Sequence, residues 1–176
     1  MCSDIHEQNF VFDLMNKYVP YFDVDKHVLL GEMPLAFVAT HKRRDEKYMM
    51  TRKIKVWEVE NQQVIFAACS EEEVTKCLVQ QFLQIVEKHF KSYIPSYSEH
   101  MSTIFIAMIL TNQPVHENAI KEVKKYRKIK FMKFGCHGWA EIYATIVDYQ
   151  RQQVMIHPKG KQFVQPVKKI LQEGRR

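Results

Sequence analysis

The N-terminal segment has the spacing of an amphipathic helix. Its apolar residues recur at helical intervals, at Ile5, Val11, Phe12, Met15 and Tyr18. Asp4, followed three positions later by Glu7, is typical of a helix cap, and Pro20 cannot continue a helix. The pattern predicts a first helix that ends before Pro20.

The next segments are extended in composition. β-Branched and aromatic residues are frequent in residues 35–41 and 48–59, and a run of charged residues from Lys42 to Lys47 separates them. The polar residues 60–62 then precede the apolar residues 64–67. The pattern predicts strands at these places, joined by a solvent-exposed loop over residues 42–47 and by a hairpin turn at residues 60–62.

The strongest helical pattern lies between residues 71 and 91. Ser70 and Glu73 predict its N-terminal cap. Its buried stripe is predicted at Val74, Leu78, Phe82, Ile85 and His89 or Phe90. Residues 104–110, which follow, are almost uninterruptedly apolar and predict a strand that is buried on both faces at the centre of a sheet.

The C-terminal half predicts a third helix, a hairpin and a tail helix. The third helix covers residues 115–127, with apolar residues inward and lysines outward. Residues 140–147 and 154–157 flank the polar residues 149–152 and predict a hairpin. Residues 167–172 predict a short helix at the end of the chain.

These elements predict one α+β domain over residues 1–176. We expect a mainly antiparallel sheet of five to seven strands with two or three packed helices. A doubly wound parallel sheet is the alternative, and the two predicted hairpins argue against it because that fold needs repeated crossover helices.

Composition narrows the class of protein. A chain of 176 residues with 46% hydrophobic residues can bury a core without disulfides. The four cysteines, Cys2, Cys69, Cys77 and Cys136, form no Cys-x-x-Cys pair and predict reduced thiols of a cytoplasmic protein. No stretch resembles a signal peptide or a membrane-spanning helix, so we expect no membrane partner.

Positive charge is concentrated in residues 121–133. This segment has a net charge of +6, equal to that of the whole chain, and contains Lys121, Lys124, Lys125, Arg127, Lys128, Lys130 and Lys133. A second segment, residues 42–55, has a net charge of +5 and contains Arg43 and Arg44, with Trp57 close by. Basic surfaces with nearby aromatic rings favour the binding of a polyanion such as single-stranded nucleic acid. Lysines that only keep a helix face soluble are the simpler interpretation.

Two of the five glycines, Gly135 and Gly138, flank Cys136 and His137 just before Trp139. Glycine permits a positive φ or a close backbone approach, so this segment predicts a tight structural corner. The alternative is a binding loop in which His137 is exposed and Trp139 forms one wall. Cys136 and His137 are chain neighbours that point apart, so they do not form a catalytic dyad.

The familiar catalytic motifs are absent: no phosphate-binding glycine loop, nucleophile elbow or zinc-binding helical His pair occurs. A weaker hypothesis is an acid–base group of Glu99, His100, His137 and Glu141, which converges if the strands that carry these residues are adjacent. The same group could instead hold a metal ion, but no metal ligand is assigned, and the sequence does not identify a cofactor. A nuclease site is disfavoured because Asp45, Glu46 and Lys47 are consecutive in a predicted turn, and no lysine lies two positions after Glu58 or Glu60.

Several segments resemble a known family. They are Glu99-His100-Met101-Ser102-Thr103, Lys133-Phe134-Gly135-Cys136-His137-Gly138-Trp139, Ile146-Val147-Asp148 and Pro158-Lys159-Gly160-Lys161. They are similar to an uncharacterised family of small bacterial cytosolic proteins classed as a domain of unknown function, from about Tyr18 to Phe163. The resemblance implies an intracellular single domain and implies no activity, fold or ligand.

The sequence therefore favours a non-catalytic cytoplasmic binding protein with a basic surface for a polyanion. The first alternative is a metal-assisted or acid–base hydrolase that uses His100 and His137. The second is a homodimeric protein-interaction module, because acidic segments such as residues 71–73 could meet the basic ones.

Overall fold

A computed structural model describes residues 5–48, 55–95, 100–132 and 138–173. This part of the chain forms four α-helices: α1 Ile5–Tyr18, α2 Lys76–His89, α3 Glu117–Lys125 and α4 Gln165–Glu173. The described residues also form two 3-10 helices, Phe90–Tyr93 after α2 and Pro158–Val164 before α4. The first helix and the tail helix occur where the sequence predicts them.

The strands are β1 Asp23–Lys26, β2 Leu29–Leu30, β3 Met33–Pro34, β4 Phe37–Tyr48, β5 Lys55–Ser70, β6 His100–Thr111, β7 Arg127–Phe131, β8 Trp139–Asp148 and β9 Gln153–Ile156. Seven of them form one mixed sheet in the order β1-β4-β5-β6-β8-β7, with β9 also paired to β8. The pairings β5–β6 and β6–β8 are parallel, and the other four are antiparallel. The predicted α+β class with a mainly antiparallel sheet is confirmed.

Helices cover both faces of the sheet. One core cluster joins α2 and α3 to the sheet through residues such as Phe82 and Val123. The other joins α1 and α4 to the opposite face through residues such as Leu14 and Leu171. Parallel strands require a crossover between them, and α2 and α3 supply the two crossovers here, which places both helices on the same face.

The central strand is β6. Its residues alternate between the two core clusters, with Phe105, Ala107 and Ile109 in one and Ile106, Met108 and Leu110 in the other. This burial on both faces confirms the interpretation of its apolar run. The hairpin of β8 and β9 is confirmed as well, and α3 is two residues shorter at each end than the predicted helix.

The predicted loop over residues 42–47 and turn at residues 60–62 are wrong. Strand β4 continues to Tyr48, and β5 begins at Lys55. Lys42 lies opposite Gln62 and Arg44 opposite Glu60 in the antiparallel ladder. Polar residues without glycine or proline continue both strands here, because cross-strand hydrogen bonds satisfy the backbone as well as a turn would. Residues 60–62 also pair with β6. The connection between the two strands lies outside the described residues.

The predicted cap of α2 is also wrong. Thr75 is the N-cap, and its Oγ1 accepts a hydrogen bond from the Leu78 amide at 3.3 Å. Ser70 is the last residue of β5, and its hydroxyl donates to the Glu72 carbonyl at 2.9 Å. The buried residues of the helix are Val79, Phe82, Leu83 and Val86, and Leu78 and Ile85 are only partly buried.

Candidate functional site

Strand β7 divides the basic segment between the two faces of the sheet. It pairs antiparallel with the first half of β8, with Arg127 opposite Tyr143 and Phe131 opposite Trp139. Alternation along a strand places Arg127, Ile129 and Phe131 on the face of α1 and α4, where Tyr143 is buried. Lys128 and Lys130 lie on the face of α2 and α3. The basic residues that look like one cluster in sequence therefore serve two surfaces.

Arg127, Glu141 and Tyr143 form a hydrogen-bonded group on the α1/α4 face. Arg127 Nε donates to Glu141 Oε1 in an ion pair and to the Tyr143 hydroxyl at 3.3 Å. Tyr143 donates its own hydroxyl proton to Glu141 Oε1 at 2.6 Å. Glu141 is 9% exposed, so its carboxylate needs these partners.

This arrangement fixes the protonation of both donors. Hydrogen bonds to Tyr143 and Glu141 raise the pKa of Arg127. Burial, together with the hydrogen bond to Glu141, raises the pKa of Tyr143. Arg127 is therefore a permanent cation, and Tyr143 remains a neutral phenol at physiological pH. Tyr143 is a hydrogen-bond donor here and is unsuited to act as a base.

An open pocket of about 540 Å³ adjoins this group. Its walls are Arg127, Glu141, Tyr143, Pro158, Lys159, Lys161, Gln162, Phe163 and Gln165. The 3-10 helix Pro158–Val164 supplies most of one side, and His157 caps it by accepting the Lys159 amide at Nδ1 at 3.2 Å. We call this the basic pocket, because three cations and one carboxylate line it.

Exposed apolar side chains lie beside the basic pocket on the same face. Ile129 is 40% exposed, Phe131 72% and Trp139 37%. Phe131 and Trp139 are register partners on neighbouring strands, so their side chains are neighbours. We call Ile129, Phe131 and Trp139 the aromatic platform. Ile129 lies directly opposite Glu141 of the pocket, and Trp139 lies two positions from Glu141 on β8, so the platform adjoins the pocket.

On the opposite face, the lysines have other partners. Lys128 forms an ion pair with Glu87 of α2, and the Tyr126 hydroxyl donates to the same carboxylate at 2.7 Å. Partial burial would raise the pKa of Glu87, but the hydrogen bonds from Lys128 and Tyr126 outweigh it and hold this pKa below its ordinary value. Within α3, Lys121 Nζ lies 3.5 Å from Glu117 Oε2. Lys124 and Lys125 are exposed on the same helix.

Gly138 occupies a tight corner. Its φ is +78°, and a Cβ added there would lie 1.9 Å from the Met101 carbonyl oxygen. Its own carbonyl accepts a hydrogen bond from the Met132 amide at 3.0 Å. Both features favour the structural interpretation of this glycine. Lys133, Gly135 and His137 lie outside the described residues.

The acid–base hypothesis requires β6 and β8 to be adjacent, and they are. Glu141, however, lies opposite Ile104, four positions and roughly 13 Å along β6 from His100. Its carboxylate already holds Arg127. Glu99 and His137 lie outside the described residues. Within the described ranges, no group of three or more His, Cys, Asp or Glu residues could hold a metal ion.

The second basic segment lies elsewhere in the sheet. Arg43 and Arg44 are on β4 and Trp57 is on β5, and β6 separates these strands from β8. Asp45 and Glu46 are on β4 rather than in a turn, and Glu46 lies opposite Glu58. The missing lysine still disfavours a nuclease site.

Sequence reasoning did not identify the pocket wall. Lys159 and Lys161 belong to a segment that resembles the family, but nothing in their spacing places them beside Arg127. The usable signal is Gly160 between them. A Cβ at Gly160 would lie 2.8 Å from Ile156 Cδ1 and 2.9 Å from Tyr143 Cδ1, so any larger residue would force the 3-10 helix or these side chains to shift.

Comparison with known proteins assigns a family and no activity. Among the described residues, no helix is both long and apolar enough to cross a membrane. No curated protein and no solved structure matches the chain. Residues 6–169 match the family described as Domain of unknown function (DUF8052), and the protein belongs to that family.

Proposed function

We propose that the protein binds single-stranded nucleic acid, with bases stacked on the aromatic platform and phosphates beside the basic pocket. The observation that carries this proposal is the pair of exposed aromatic neighbours, Phe131 and Trp139, on an open sheet surface next to cations. Large exposed apolar groups that adjoin one another indicate a binding surface more often than scattered ones do.

The chemistry of the two parts is complementary. Each base that stacks on an aromatic side chain contributes about 1–3 kcal/mol to binding, whatever its identity. Lys159 and Lys161 have no ion-pair partner among the described residues, so they are available to neutralise phosphates. Together these groups favour a ligand that has both flat rings and negative charge.

The outer face of α3 is the competing surface. It has the exposed cations Lys121, Lys124 and Lys125, but the helix contains no aromatic residue. Charge alone gives weak binding that depends steeply on salt. The platform is the better candidate because it adds stacking to charge.

The other two hypotheses remain proposals of lower rank. A hydrolase based on His100 and His137 gains no support from the described geometry, because Glu141 is held by Arg127. The homodimer hypothesis, in which acidic and basic segments meet, gains a second candidate contact surface in the platform. We further propose a cytoplasmic site of action in a bacterial cell, in keeping with the resemblance of the sequence.

Fluorescence anisotropy with a labelled single-stranded oligonucleotide at low salt tests the proposal. We expect Phe131→Ala and Trp139→Ala each to weaken binding at least about fivefold, which corresponds to the loss of one stacked base. Tyr21→Ala is the matched control, because Tyr21 is 73% exposed and lies on another part of the surface. Equal binding by all four proteins would contradict the proposal.

Two further measurements separate the alternatives. If Lys124→Glu/Lys125→Glu abolishes binding while the platform variants bind normally, the α3 surface is the site. If sedimentation shows a dimer that Phe131→Glu converts to a monomer, the platform is a self-association surface.

For the proposed site, the slope of log K against log salt is expected to be about −2, from three cations at roughly 0.7 each.

A further inference from the structure

The basic pocket has a chemical preference of its own. We propose that it binds a phosphomonoester, a phosphate group with a single ester bond and a charge close to −2. The inference is drawn from the orientation of Arg127, from the charges that surround it and from the size of the pocket. None of these observations involves the aromatic platform.

Arg127 is held so that its terminal nitrogens remain available. Its Nε is engaged by Glu141 and by the Tyr143 hydroxyl. The two terminal nitrogens have no hydrogen-bond partner among the described residues, and the side chain is 28% exposed on the pocket wall. A guanidinium that is fixed in this way presents two parallel N–H groups, which match two oxygens of a phosphate.

Two lysines complete the positive side of the pocket. Lys159 and Lys161 come from the 3-10 helix, on either side of Gly160, which lies against the Tyr143 ring. Gln162 contributes a neutral amide. The Gln165 side chain donates to the Lys161 carbonyl at 3.2 Å, so Gln165 fixes the end of this wall. The lining of the pocket therefore combines two lysines of the 3-10 helix with the fixed guanidinium of Arg127 on β7.

The balance of charge favours a dianion over a monoanion. Glu141 offsets one of the three cations, which leaves an excess of two positive charges in the pocket. A phosphodiester within a strand has one negative charge. A phosphomonoester has 1.5 to 2 negative charges at neutral pH because its second pKa is about 6. A volume of about 540 Å³ lies within the usual range of small-molecule sites.

Phosphomonoesters come from two sources, the phosphorylated end of a nucleic-acid strand and a small phosphorylated metabolite. The first source rests on the proposed function, and the second does not. The probes are therefore a 5′-phosphorylated oligonucleotide, the same oligonucleotide with a 5′-hydroxyl, a nucleoside monophosphate with its nucleoside, and inorganic phosphate.

Titration calorimetry with the full chain tests the proposal. We expect the 5′-phosphorylated strand to bind about tenfold more tightly than the 5′-hydroxyl strand, because it adds charge-assisted hydrogen bonds. We expect the nucleoside monophosphate and inorganic phosphate to bind, and the nucleoside not to bind. The variant Lys159→Gln/Lys161→Gln should lose this preference for phosphate. The control Lys124→Gln/Lys169→Gln removes the same charge outside the pocket and should retain it.

The outcomes distinguish this inference from the proposed function. If neither strand binds but the nucleoside monophosphate does, and Lys159→Gln/Lys161→Gln abolishes that binding, the pocket serves a small phosphorylated ligand and only the proposed function fails. If both strands bind equally and inorganic phosphate gives no heat, the inference is overturned and the proposed function stands. The inference is also overturned if Lys159→Gln/Lys161→Gln still binds the 5′-phosphorylated strand more tightly than the 5′-hydroxyl strand.

Discussion

Gly138 combines a positive φ with a backbone contact that no other residue can make. A Cβ at this position would overlap the Met101 carbonyl oxygen at 1.9 Å. We expect Gly138→Ala to lower the free energy of unfolding by at least about 2 kcal/mol, from the left-handed conformation and the clash together. Chemical denaturation measures the change.

The contact partner supplies the control for this prediction. Met101→Ala alone should lower the free energy of unfolding by less than about 0.5 kcal/mol, because the Met101 side chain is 43% exposed. The double variant should remain as unstable as Gly138→Ala, since the clash is with the Met101 backbone. Rescue by the second substitution would show that the corner is not held by this carbonyl.

Phe82 and Leu78 test which face of α2 is buried. Phe82 is 2% exposed in the core, whereas Leu78 is only partly buried beside it. We expect Phe82→Ala to destabilise the protein by about 3–5 kcal/mol and Leu78→Ala by less than about 2 kcal/mol. Equal losses in denaturant melts with unchanged m-values would show that the two positions are buried alike.

At the residue scale, the sequence predicts burial well where a segment is apolar throughout. It predicts burial poorly where apolar residues cover a wide arc of a helix. The apolar run of β6 could only be buried on both faces. In α2, apolar residues at positions 78, 79, 82, 83, 85 and 86 cover a wide arc, and the sequence does not show which part faces the sheet. The tertiary packing of α2 decides which part is buried, and it places Val79 and Val86 in the core cluster with the sheet and α3.

Strand β7 is linked to α2 through Glu87. Because the pKa of Glu87 is below its ordinary value of 4.5 in the folded protein, ionised Glu87 stabilises the fold above that pH. The contribution is lost as the pH falls through the lowered pKa of the folded state. Since Glu87 is partly exposed, we expect the free energy of unfolding of the wild type to exceed that of Glu87→Gln by only about 0.5–1 kcal/mol at pH 7.

Denaturation of both proteins between pH 7 and pH 3 checks this prediction. The difference in stability should shrink once the pH falls below about 4.5. Glu72→Gln is the matched control, because Glu72 is exposed and lies outside this network. A difference that stays constant over the whole range would show that the Glu87 charge plays no part.

At the element scale, β7 was missed because its lysines continue the basic pattern of α3. The helix ends at Lys125, and Tyr126 has extended dihedral angles. From there the residues alternate between two faces, a period that five residues are too few to reveal. The candidate site could not be predicted for the same reason, since only the register of β7 brings Arg127 beside Glu141.

For the molecule as a whole, the order of the sheet predicts a gradient of local stability. Strand β6 lies between β5 and β8 and is covered by helices on both faces. We expect the amides of residues 104–110 to exchange with solvent most slowly, and those of the outer strands β1 and β7 much faster. Native-state hydrogen exchange measures this order. Equal protection in β6 and β7 would contradict it.

The two short strands on one side of β8 have a consequence for self-association. Strand β7 pairs with residues 139–143 and β9 with residues 145–148, so two separate pieces of five and four residues complete that side of the sheet. A long continuous row of free amides and carbonyls is the template on which sheets of different molecules join into fibrils. The interrupted border offers no such template on this side of the sheet, and we expect it to disfavour edge-to-edge association there while the platform face stays open.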